Sequence, residues 1–111
     1  MQETENLMIL RVLILKQDGL WAAQCIDHDI VAQGNSIPEA KKAFERTIIG
    51  QMVADLMNGR KPLAAFPPAP DRLRDLFEHA EKLADVKPIT LPEGMPPAYI
   101  CNQIPKDVRV W

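Results

Sequence analysis

The chain has 111 residues, 47% of them apolar and 25% charged, with 13 basic against 15 acidic side chains and a formal net charge of -2. That length suits one domain with one core, which takes roughly 65% of the unfolded chain's surface out of water and needs no disulfide or metal to fold. The balance excludes collagen-like, coiled-coil and fully disordered classes, and without a basic excess the general surface is unsuited to gripping phosphate backbones.

Cys25 and Cys101 lie far apart with no CxxC spacing. That removes a zinc ribbon and a thioredoxin-type pair and points to reduced thiols in a cytoplasmic protein. The opening MQETEN fails the signal-peptide pattern. LMILRVLILK is interrupted by Arg11, far short of the roughly 20 apolar residues that cross a bilayer, so no membrane span is expected.

In chain order, the aliphatic run from Leu7 to Lys16 predicts a strand buried on most of both faces. Asp18-Gly19 has the composition of a tight hairpin turn. The returning strand, Leu20 to Asp27, alternates Trp21, Ala23 and Cys25 on one face with Leu20, Ala22, Gln24 and Ile26 on the other. His28 and Asp29 fall at the next turn. A short third strand from Ile30 to Gln33 closes at Gly34-Asn35, completing an antiparallel meander of three strands.

Ser36-Ile37-Pro38-Glu39 is a capping box, with the Ser36 oxygen accepting a first-turn N–H and Glu39 reaching back to the Ser36 amide. Pro38 suits the first turn, whose amides lack helical acceptors. The helix is expected to end at Asn58-Gly59, where glycine supplies a left-handed residue. Ile37, Ala40, Ala43, Phe44, Thr47 and Ile48 form its apolar stripe, opposite Glu39, Lys41, Lys42, Glu45 and Arg46. Past Gly50 the residues Ile48, Ile49, Met52, Val53, Leu56 and Met57 cover about half the circumference, more than one sheet face buries.

The proline-laden KPLAAFPPAP cannot be helical and predicts extended chain with an edge strand at Leu63 to Phe66. A second helix begins at Asp71, with Leu73, Leu76, Phe77, Ala80, Leu83 and Ala84 on one face. That face is expected to cover the surplus of the first helix, within the chain or across a dimer. The tail from Val86 reads as mostly extended, with apolar runs from Ala98 to Ile104 and Val108 to Trp111 and a turn at Pro105 to Asp107.

Asp27-His28-Asp29 is the obvious acid–base candidate, since flanking carboxylates raise a histidine's pKa. In strand-like chain, however, the two aspartates share one side and His28 takes the other. Metal binding wants a second His or Cys at defined spacing, and His79 lies in DLFEHAEK, a solvated helix face. Cys25 as a nucleophile would have its pKa pushed the wrong way by the same aspartates. No Gly-rich phosphate loop, GxSxG elbow or HExxH is present. Arg60-Lys61 complements the helix dipole. No catalytic residue, metal or cofactor is therefore assigned. Trp21 stands out, either as a core anchor or as a partner-contact hot spot.

The order of parts resembles the HicB-like antitoxin family. The matching residues are Asp18-Gly19-Leu20-Trp21, Ala23-Gln24-Cys25, Ile30, Gln33-Gly34 and Ile37-Pro38-Glu39-Ala40, within Leu7 to Pro70. The resemblance implies a partial ribonuclease-H-like fold, β-β-β-α-β, that has lost its acidic active site. It implies binding and neutralisation of a small mRNA-cutting toxin, and assembly into dimers or tetramers. Such antitoxins usually carry a C-terminal ribbon-helix-helix or helix-turn-helix that binds operator DNA. Here one amphipathic helix and a proline-rich tail follow Pro70 instead.

The sequence thus predicts an α+β fold: a HicB-like domain over residues 1–70, then a helix and extended tail over 71–111 on the same core or across a dimer. The expected function is a non-catalytic, self-associating protein-binding module. Trp21, Gln24, His28 and Asp29 are its candidate partner contacts, and Ile49, Val53, Met57 and Phe66 its candidate self-association surface. Two alternatives are a DNA-binding regulator of its own operon and a small metal-dependent hydrolase or nuclease using Asp27, His28 and Asp29.

Overall fold

A computed structural model describes residues 8–84, 86–94 and 103–111. Strand β1 (Leu10–Gln17) turns into β2 (Leu20–Cys25) through Asp18 and Gly19, at φ 51° and 83°. These are the two successive left-handed residues of a type I′ hairpin, as the Asp-Gly pair predicts. β3 (Val31–Gly34) runs antiparallel to β2, with Gly34 opposite Trp21.

Helix α1 (Ile37–Met57) starts at the expected cap, where Ser36 Oγ accepts the Glu39 N–H at 3.2 Å. Glu39 reaches one residue further back than predicted, accepting the Asn35 N–H at 3.0 Å. The helix closes in a Schellman motif: Gly59, at φ 70°, donates to the Leu56 carbonyl, and Arg60 donates to that of Asp55. Gly34 is required for a different reason. A Cβ there would lie 2.6 Å from the Ala40 nitrogen and 2.7 Å from Glu39 Cβ, so β3 meets the first turn of α1 only through a glycine.

The five-stranded sheet has the order β3-β2-β1-β7-β4, where β7 (Lys106–Val110) is parallel to β1 and β4 (Glu81–Lys82) is antiparallel to β7. β1 is therefore central, and it is buried on both faces because both are covered. Leu10, Val12 and Ile14 pack under α1 with Phe44, Ile48 and Met52. Leu13 and Leu15 pack with Ala22 and Ile26 beneath α2 (Asp71–His79), which contributes Leu73 and Phe77. Among the described residues the result is an α+β domain built on a mixed sheet with two helices. Among the described residues no helix is long and apolar enough to cross a membrane.

Four expectations are corrected. First, α2 does not cover the surplus of α1, because it lies on the opposite face of the sheet. Ile48, Met52 and Leu56 instead share the core with Leu63, Ile89, Leu91 and Ile104, the last three on or beside the ribbon of β5 (Ile89–Thr90) and β6 (Gln103–Ile104), while Met57 stays exposed. Second, residues 62–65 are turn rather than strand, and Leu63 is a buried residue at φ 62°. Third, Lys106 and Asp107 open β7 instead of turning, and α2 stops before Leu83 and Ala84. Fourth, Thr47 faces solvent, its hydroxyl donating back to the Ala43 carbonyl. The run from Ala98 to Ile104 lies outside the described residues up to Asn102.

Polar pairs tie the late strand to the rest. Lys106, with only 4% of its side chain exposed, is bonded to Glu45 of α1. On the other face Arg109 donates to the Phe77 carbonyl at 3.2 Å and lies 4.3 Å from that ring's centre.

Candidate functional site

The connection from β2 to β3 carries Asp27, His28 and Asp29, and the proline-rich segment after α1 crosses over it. The Asp29 N–H donates to the Pro67 carbonyl at 2.6 Å, and the Ala69 N–H donates to that of Ile26 at 2.9 Å. Prolines suit this strap because they offer acceptors without needing donors of their own.

Each acidic side chain of the connection is engaged. Arg11 donates to both carboxylate oxygens of Asp27, from Nε at 3.0 Å and from a terminal nitrogen. Those hydrogen bonds hold the Asp27 carboxyl below the usual range against the opposing effect of burial. Gln24 Nε2 donates to Asp29 at 3.0 Å and to the Cys25 carbonyl at 2.9 Å. Burial pushes the Cys25 thiol up, although hydrogen bonds from the backbone of His28, Asp27 and Ile26 pull the other way. His28 Nδ1 is buried with no hydrogen-bond partner among the described residues. Among the described residues no group of three or more His, Cys, Asp or Glu is placed to hold a metal ion.

The four candidate contacts do not form one patch. Trp21 is on the α1 face, half-buried against the core with Lys16 Nζ 5.6 Å from its ring centre. Gln24 points to the α2 face three residues on, about 10 Å along the strand. It is 6% exposed and turned inward, so its amide orients Asp29 and offers nothing to a partner. Asp29 is exposed and His28 half-buried. Among the proposed self-association residues, Ile49, Val53 and Phe66 are half-buried and Met57 is 65% exposed.

Two features escaped the sequence reading. Asp55, which no sequence pattern singled out, is buried and accepts from Gln51, Arg60 and the Leu63 N–H. Beside β3, Gln33, Gly34, Glu39, Lys42, Ala43 and Arg46 line a depression of about 240 Å³. The four-residue spacing of Lys42 and Arg46 was the available signal, since it puts both on one helix face. Comparison of the chain with family models, curated proteins and solved structures finds no match in any of the three.

Proposed function

We propose that this chain is a non-catalytic protein-binding module of the HicB-like antitoxin kind, which neutralises a small partner protein. The observation that carries this reading is the engagement of Asp27 with Arg11 and of Asp29 with Gln24. Carboxylates held by cationic or amide donors are poorly placed to share a metal ion or to move protons. The β1-β2-β3-α1 order, with a strand parallel to β1 on its other side, supports a partial ribonuclease-H-like fold. Here that last strand comes from the C-terminus rather than directly after α1. Exposed Asp29 and half-buried His28, on the β2–β3 connection, remain its candidate contacts, and Met57 the candidate self-association residue.

Recovery of the tagged chain from its own host at native level tests the reading. The expected result is a stoichiometric small protein that arrests growth when expressed alone and is silenced by co-expression of this chain. A chain recovered alone, and monomeric by light scattering, overturns it.

A further inference from the structure

The two edges of the main sheet are built differently. β4 is two residues long, Glu81 and Lys82, both exposed and charged, the form in which edges are usually blunted. β3, at the other edge, is Val31-Ala32-Gln33-Gly34, with no charge, proline or bulge. The Cys25 N–H donates to the Ile30 carbonyl at 2.8 Å. Backbone direction alternates along an antiparallel strand, so Ile30, Ala32 and Gly34 face β2 while the N–H and C=O of Val31 and Gln33 point outward. Val31 is 49% exposed, on the face opposite α1.

On the α1 side of this edge is the depression holding Lys42 and Arg46. Both are exposed, and neither is in an ion pair among the described residues. Glu39, the one acid lining it among the described residues, already accepts the Asn35 N–H. The local charge is therefore positive on a chain that is negative overall.

We infer that β3 is a strand-addition site for an extended acidic segment of a partner protein. The segment hydrogen-bonds Val31 and Gln33, turns carboxylates toward Lys42 and Arg46, and turns apolar side chains toward Val31. Alternation along a strand separates the two sets, so the motif is acidic and apolar residues in turn. A second copy is the poorer occupant, because antiparallel pairing of two β3 strands brings two cationic groups together. This inference specifies the binding mode of the module proposed above.

The test uses the full chain, isotope-labelled, with a synthetic peptide alternating Asp and Val and a control alternating Lys and Val. The expected result is that the acidic peptide slows hydrogen exchange at the Val31 and Gln33 amides and the basic one does not. Lys42→Glu with Arg46→Glu, both on the exposed face, should weaken acidic-peptide binding at least tenfold and admit the basic peptide. Gln33→Pro removes an outward N–H without touching the pairing to β2, and should abolish binding.

No binding of the acidic peptide at about 1 mM, a free energy of only about -4 kcal/mol, overturns the inference. So does binding that leaves Val31 and Gln33 exchange unchanged, or protection of both amides by dimerisation without peptide. A host partner that binds while these amides still exchange freely overturns the strand-addition mode and leaves the module reading standing. Peptide protection with no host partner does the reverse.

Discussion

The buried carboxylate of Asp55 accepts the backbone N–H of Leu63 at 2.8 Å, and Leu63 stands at φ 62° with its side chain wholly buried. A bulky residue rarely takes that backbone conformation, so the turn after α1 depends on the acceptor beneath it. Asp55→Ala leaves the Leu63 N–H and the Arg60 guanidinium without their partner, and should cost about 2–4 kcal/mol in urea unfolding. Asp55→Asn keeps an acceptor and should cost about half as much. Equal losses for the two variants would refute the role given to this hydrogen bond.

Asp27 gives the fold an acid-sensitive contribution. Its folded pKa lies below the unfolded value of about 3.9, chiefly because of the hydrogen bonds from Arg11. The stabilisation is therefore complete above the unfolded pKa and is lost as pH falls through the folded one. Urea midpoints of the wild type and Asp27→Asn should differ by a constant amount above about pH 5 and converge as the pH falls below the unfolded pKa and through the folded one. A gap that persists undiminished at the acid end would show that the carboxylate's charge is not the source.

Two glycines should respond in opposite directions to the same substitution. Gly34→Ala drives a Cβ into the Ala40 nitrogen and Glu39 Cβ, and should destabilise by about 1–3 kcal/mol. Gly50→Ala, inside α1 with open space around it, should stabilise by about 0.5–1 kcal/mol. Thermal unfolding of both variants distinguishes a packing constraint from a helix-propensity effect.

Lys106 and Glu45 should be strongly coupled. Glu45→Ala strands a nearly buried ammonium and should cost about 2–4 kcal/mol. Adding Lys106→Met replaces the stranded charge with an apolar chain of similar length and should recover most of that loss. A double-mutant cycle with no interaction energy would mean that the pair does not anchor β7 to α1.

The local devices were legible in the sequence because each is decided within a few residues. Asp18-Gly19 sets a hairpin through its own φ angles, and Ser36 finds its donor three residues on. Gly59 closes α1, while Leu73 and Phe77 fix the buried side of α2. The alternation of β2 also sorted Ala23 and Cys25 from Ala22 and Ile26 correctly between the two faces. The charged tripeptide at the β2–β3 turn drew attention for its chemistry, and the sequence held no sign that Arg11 and Gln24 would engage its two carboxylates.

Only the tertiary structure decided which strand lies beside β1, which face of the sheet α2 covers, and that Asp55 is buried beneath a strained Leu63. Lys106-Asp107-Val108-Arg109-Val110 carries a two-sided alternation, Lys106 toward Glu45 and Arg109 toward Phe77, but after a proline its charged start reads equally well as a turn. Strand pairing is made by backbone groups common to every residue, so a sequence announces that a segment can be a strand without naming its partner. That choice is made by which arrangement buries Leu10, Val12, Ile14, Leu13 and Leu15 on both sides at once, a property of the whole packed chain.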